Sequence, residues 1–411
     1  MPDESAPKNS ITFASLKKRI LASSWLRPVA LRLAPLARDL PRWLAFQHVP
    51  VLQRWSGRPV GWHATAREYL ALHPARGWDR VIRPGGNYER VRPIPLGTAL
   101  PPHFDPPQMV AWPEERVTFL EGCRFWGGYG GSIIAHDERL IGELSPDVWG
   151  VKRHTLFNMV KLPASQALPG LSAILSTPEA DTNYSHWMME LLPRIELLAQ
   201  GGFGPERVDR YLINLGGHAY ERETLALAGI PPEKIVPVDA ASHFRCEQVI
   251  AASLRPAHWQ YHAPAWLSEY LCRLARLAGA SPSRRLYLSR ATAAFRRVVN
   301  EDELLPILAE HGFAVFDPAS RAVGEQAEIF ANAEMIVSPH SSALTNLVFC
   351  RADTSVLELF PADYHDVSFW TAATLARCRY RAIIGERLGP APLTTIEGRR
   401  QDISIPPERL R

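Results

Sequence analysis

Residues 285–288, 313–316, 335–337 and 356–359 are short apolar runs, and apolar residues at helical spacing fill the stretches between them. That alternation predicts strands and helices in succession around a parallel sheet. Asn300 and Glu303 stand at the spacing of a capping box ahead of Leu304, Ile307 and Leu308, and Gly312 follows where a left-handed residue closes a helix. Further helices are expected near 324–333, 341–350 and 366–377, and residues 380–384 add a fifth strand.

Upstream the same alternation is less regular. Strands are expected at 117–120, 132–135, 140–141, 172–176, 210–214, 234–238 and 248–252, and helices from Asn183 or Ser185 to Gln200, at 219–228 and at 265–277. Residues 279–283 read as a linker between two halves. The glycines of 127–131 do not make G-x-G-x-x-G, because Ile133 holds the third glycine position. They are expected to form a turn or bulge, which argues against a dinucleotide oxidoreductase. The expected fold class is α/β, with one half over 111–280 and another over 281–411, behind a Pro- and Trp-rich N-terminal extension over 1–110.

Composition changes this picture in few places. An apolar fraction of 46% with 12 Trp belongs to a packed globular chain. Five scattered cysteines without a C-x-x-C pair suggest neither a disulfide framework nor a metal site, and a reduced, cytoplasmic protein is expected. A net charge of +4 gives no reason to expect nucleic acid as a partner. The basic excess is local: residues 11–55 hold eight Lys or Arg against Asp39 alone, beside an apolar stripe from Leu26 to Trp43 broken by Pro28, Pro35 and Pro41. Three readings stand for this segment: a helical extension packed on the body, peripheral contact with an anionic membrane, or binding of a partner. No run of 18 apolar residues exists, and the basic-then-apolar order of a secretory signal is missing.

Candidate chemistry gathers at two places. His186, Glu190 and Arg194 fall at i, i+4 and i+8, while Trp187, Leu191, Ile195 and Leu198 take the core side. A histidine and a carboxylate one turn apart make a general base with a tuned partner; the other reading is a surface pair of Glu190 with Arg194, with His186 capping the helix. Pro193 cannot donate to the Met189 carbonyl, so a kink is expected beside Glu190. In the second half, Arg290, His340 and Glu358 are expected at three strand ends, and Ser341 and Ser342 open a helix whose free amides suit an anion. In open α/β sheets ligands sit beyond those ends. A cation, a helix start and a carboxylate there suit a nucleoside diphosphate, with Arg and amides on the phosphates and Glu on the ribose hydroxyls.

Several of these residues also form a series: His186-Trp187 with Leu192-Pro193-Arg194; Tyr287, Ser289 and Arg290; Asn300, Glu301 and Glu303; Glu325, Gln326 and Phe330; His340 with Leu344-Thr345-Asn346; and Glu358. Over roughly residues 117–385 this series resembles glycosyltransferase family 61. The resemblance implies a GT-B arrangement of two Rossmann-like domains facing across a cleft, and an inverting transfer from a nucleotide-sugar donor to a glycan or glycolipid acceptor, of the kind found in capsular polysaccharide synthesis. It implies His186 as base with Glu190 orienting or replacing it, and a donor site of Arg290, His340, Ser341, Ser342, Thr345, Asn346, Glu358 and Glu325. No cofactor beyond the donor and no metal are expected, in keeping with the lack of any D-x-D. One departure stands out: the family's loop usually reads His-Gly-Ala-Gly-Leu-Thr-Asn, where this chain has Ser341, Ser342 and Ala343. Losing two glycines removes easy positive φ and adds Cβ atoms near a pyrophosphate. A catalytically degenerate GT-B module that binds a glycan or a partner is therefore the second reading.

Overall fold

The computed structural model describes residues 55–96, 100–104, 108–146, 154–253, 262–277, 283–392 and 394–411. Nearly all of the basic segment 11–55 and of the linker 279–283 lies outside the described residues. Two compact units share the chain: Gly61–Val148 with Ser165–Arg411, and Met1–Val60 with Trp149–Ala164. In the smaller one, the buried Arg58 guanidinium donates to the Phe157 carbonyl at 3.1 Å.

The larger unit holds two main sheets. The first is mixed. Strand β1 (Gly61–His63) is followed by helix α1 (Ala66–Leu72) and by β2 (Gly77–Arg83), which pairs with the long β6 (Glu115–Trp126). Between them, β3 (Gly86–Arg90) and β5 (Gln108–Trp112) form a separate ribbon, and β4 (Ile94–Pro95) leaves for the second sheet. Strands β7 (Ser132–Ile134) and β8 (Arg139–Ile141) extend one side of β6. On the other side come β9 (Gln166–Ile174), β10 (Arg210–Ile213), β11 (Ile235–Pro237) and β12 (His243–Ala252), mutually parallel in the order β11-β10-β9-β12. In chain order that is 3-2-1-4, with its reversal between β9 and β12.

Five parallel strands make up the second sheet: β13 (Arg284–Leu288), β14 (Phe313–Phe316), β15 (Ala333–Pro339), β16 (Ser355–Phe360) and β17 (Arg379–Ile384), with β4 at the edge beside β17. Their spatial order, β14-β13-β15-β16-β17, is the doubly wound 2-1-3-4-5, whose reversal lies between β13 and β15. Leu286, Leu288, Ile336, Val356 and Phe360 face one core cluster, and Tyr287, Val337, Leu359 and Ile383 face another. Both sides are buried, which is why these strands read as unbroken apolar runs.

Four expectations change. Residues 61–95, assigned by pattern to the N-terminal extension, supply β1, β2 and β4. The Asn300 side chain does not cap the helix Glu301–Glu310; its amide bridges the Ile405 backbone instead, donating at 2.8 Å and accepting at 3.2 Å. The stretch after His340 is a 3-10 helix, Ser342–Phe349. Strand β16 runs two residues past Glu358, so that carboxylate lies inside the sheet and not at its rim. Gly312, at φ 78, closes its helix as expected.

The glycines of 127–131 turn the chain between β6 and β7, as their pattern predicts. Gly130 sits at φ 85, and a Cβ there would lie 2.2 Å from the Pro178 nitrogen. Gly130→Ala is therefore expected to cost about 1–3 kcal/mol, combining left-handed strain with a backbone clash. Chemical denaturation checks this; an unchanged midpoint would show that the Pro178 segment yields freely. No helix among the described residues is long and apolar enough to cross a membrane.

Candidate active site

The exit of β9 is pinned from three directions. Arg194 donates to the carbonyls of Leu175 at 3.2 Å and Ser176 at 2.7 Å. Asn214, just beyond β10, accepts from the Thr177 amide and donates to its carbonyl. The Thr177 hydroxyl donates to Glu190 Oε2 at 3.3 Å. The next turn carries Glu179 at φ 61.

Across from this turn, Asn183 caps a short helical start, Tyr184–His186, by accepting from the Ser185 amide. A π segment, Trp187–Leu191, follows, and then helix Leu192–Gln200. The missing amide of Pro193 accounts for the irregularity, and π segments recur at functional sites. Glu190 and Arg194 are buried at 3% exposure each, so neither belongs to a solvated surface pair.

His186 lies between two carboxylates. Its Nε2 is 3.2 Å from Glu179 Oε2 and its Nδ1 is 3.1 Å from Glu190 Oε2, the latter off the line of a hydrogen bond. Burial opposes charging the ring, but the pull of Glu179 and Glu190 outweighs it and raises the pKa from 6.5 to about 10. That direction favours the imidazolium, which has no lone pair to accept a proton, and so weighs against the expected role of His186 as base.

The second cluster stands at the reversal of the second sheet. Arg290 follows β13, and its guanidinium donates to the Phe295 carbonyl at 3.1 Å while Nε is buried without a partner. Burial, then the neighbouring charge of Arg296, lowers its pKa from 12.5 to about 10. Arg296, at φ 56, donates to the His340 carbonyl at 3.0 Å and to the Arg399 carbonyl at 2.8 Å. The like charge of Arg296 acts on Arg290, and an anion bound there would relieve that repulsion.

His340 follows β15 with its ring stacked on Phe360 at 5.2 Å and its Nδ1 2.5 Å from Glu358 Oε1. Tyr380 donates to the other oxygen of Glu358. Glu358 is 0% exposed, and burial pushes its pKa up against the bonds from His340 and Tyr380. Both oxygens of this carboxylate are taken by internal bonds away from solvent, which weighs against its expected place on a ribose. Ser341 caps the 3-10 helix, accepting from the Ala343 amide at 3.1 Å, and Ser342 is half-buried. No residue of 340–346 has positive φ, so the serines replace glycines without backbone strain.

Thr345 and Asn346 join the two clusters. Thr345 Oγ1 meets Ser185 Oγ at 2.7 Å, and Asn346 accepts from the Tyr184 hydroxyl at 2.8 Å while donating to Gln326 at 2.7 Å. Both are 0% exposed and hold the turn before His186 against the helix after His340. Glu325, exposed, reaches back to the start of its own helix, 3.4 Å from the Ala322 amide. Of the expected donor contacts, Glu358, Thr345 and Asn346 are buried in internal bonds, and Ser341 and Glu325 bond to the starts of their own helices. Sequence reasoning did not single out Glu179 or Arg296; a glutamate just after an apolar run was a usable signal for the first, and nothing marked the second. Among the described residues, no group of three or more His, Cys, Asp or Glu is arranged to hold a metal ion.

The family model described as Glycosyltransferase 61 matches residues 184–357. The matched span begins at the turn carrying His186, takes in Arg290, Arg296 and His340, and stops one residue before Glu358. No curated protein matches the chain.

Proposed function

We propose that the protein moves a sugar, with inversion, from a nucleotide-sugar donor to a glycan or glycolipid acceptor, residues 184–357 matching the Glycosyltransferase 61 model. The observation that carries this reading is Arg290, its Nε buried without a partner among the described residues, with Arg296 bonded to the His340 carbonyl, beside the reversal of the second sheet. Ligands of doubly wound sheets sit at that point, and a diphosphate is the anion that two arginines and a helix start suit.

In this proposal the two sheets act as the two halves of a GT-B-like arrangement, donor on the second and acceptor on the first. Arg290 and Arg296 neutralise charge building on the leaving diphosphate, so the leaving group needs no metal. Glu358 fixes His340, and Tyr380 fixes Glu358. The Ser185–Thr345 and Tyr184–Asn346 bonds set the acceptor side against the donor side, a positioning effect that contributes to rate. A role in bacterial surface-glycan synthesis and a cytoplasmic setting belong to the same proposal and rest on the family resemblance and the unpaired cysteines. Ordinary backbone at Ser341 and Ser342 removes one argument for a degenerate binding module.

The test is calorimetric titration of the full chain with UDP-, GDP- and CMP-sugars. Binding of one class, with release of its nucleotide on adding acceptor glycans, is the expected result. Failure of every nucleotide to bind would overturn the reading.

A further inference from the structure

We propose that Glu179 takes the proton of the acceptor hydroxyl, and that His186 is its charged partner in place of being the base. The inference rests on the glycosyltransferase reading above. Glu179 stands at the carboxyl end of β9, beside the reversal of the first sheet, as Arg290 and His340 stand beside the reversal of the second.

Of the two carboxylates that hold His186, only one is open to a substrate. The Glu179 side chain is 36% exposed, whereas that of Glu190 is 1% exposed. Glu179 is held in a left-handed conformation at φ 61, which a β-carbon disfavours and which the surroundings must enforce. They do. Its carbonyl accepts from the Asn183 amide at 2.8 Å and the Thr182 amide at 3.1 Å. Gly130 and Gly131 close on Pro178 and Ser176 from the other side, so near that a Cβ on either would clash. Strain of this kind, maintained by a fitted neighbour, is common at reacting groups.

The imidazolium has a task here. A carboxylate brought near a diphosphate tends to pick up a proton and lose its use as a base. A cation 3.2 Å away keeps Glu179 ionised, and Glu190 keeps that cation charged from behind. The step then balances. The acceptor O–H bond breaks as its proton passes to a Glu179 oxygen, and the acceptor oxygen forms the bond to the anomeric carbon. The bond from that carbon to the diphosphate breaks, its electron pair leaving on the diphosphate between Arg290 and Arg296. Glu179 afterwards returns its proton to water.

Three full-length variants, Glu179→Gln, Glu179→Asp and Glu190→Gln, are compared with wild type in nucleotide release from UDP- and GDP-sugars, with and without glycan acceptors. Glu179→Gln is expected to lower kcat roughly 10²- to 10⁴-fold, to leave UDP and GDP affinity unchanged, and to abolish the acidic limb of the kcat–pH profile. Glu179→Asp should recover part of the rate. A rate in Glu179→Gln within about threefold of wild type, far above a lost base, would overturn the proposal, as would loss of the acidic limb in Glu190→Gln alone. Nitrogen-15 NMR of the His186 ring decides the second half whatever the activity. Both nitrogens should remain protonated at pH 8 in wild type, and Glu179→Gln should lower the titration midpoint. A wild-type ring neutral at pH 8 overturns the proposal. Failure of wild type to bind any nucleotide strikes the glycosyltransferase reading separately.

Discussion

Arg290→Ala is expected to weaken UDP or GDP binding by about 2–4 kcal/mol, roughly 30- to 1000-fold in Kd, without loss of stability. The binding effect follows from a guanidinium that, among the described residues, has its Nε buried without a partner and donates to the Phe295 carbonyl alone. Such a group has donors to spare for a phosphate. Stability should hold or rise, because Arg290 is half-buried beside the like charge of Arg296. Arg290→Lys keeps the charge and loses the planar fork, so it should recover only part of the affinity. Titration calorimetry with thermal unfolding on the same samples separates the two effects. Unchanged affinity would remove Arg290 from the donor site, and joint loss of affinity and stability would make it a structural residue.

His186→Ala should destabilise the protein by about 3–5 kcal/mol at neutral pH, the range for stranding a buried charge. Glu190, 1% exposed at its side chain, loses its counter-cation, and Glu190 Oε1 already has no partner. The pH dependence distinguishes this cause from lost packing. His186 has its folded pKa raised from 6.5 to about 10, so its ionic contribution is complete below about 6.5. It fades as pH rises and is gone above about 10, where the wild-type ring is also neutral. Urea unfolding at pH 7 and at pH 10.5 should therefore show the gap between wild type and variant shrinking. A gap independent of pH would assign the loss to packing. Turnover should fall as well, by roughly 10²-fold or more, since Glu179 loses the cation that keeps it ionised.

The second half of the fold was legible because each of its strands is a short apolar run buried on both faces, with a helix stripe and a closing glycine between. Residues 285–288, 313–316 and 380–384 became strands close to where the pattern set them. Residues 61–95 were not legible. Strand β2 pairs with β6 and β4 with β17, across separations that leave no periodic trace in the sequence.

At the candidate site the division is finer. By itself the sequence determined which residue types stand near which elements: His186 and Glu190 one turn apart, Arg290 after a strand, His340 before a helix. Pro193 even forecast the irregular turn, because a missing amide is a local fact. What those side chains do was decided by tertiary structure. Two further residues of strand put Glu358 inside the sheet, and docking of the two halves committed Thr345 and Asn346 to Ser185 and Tyr184. A second carboxylate, brought from beyond the end of another strand, raises the pKa of His186 and weighs against it as a base. Charge state and hydrogen-bond commitment depend on neighbours distant in sequence, and chain spacing fixes only the near ones.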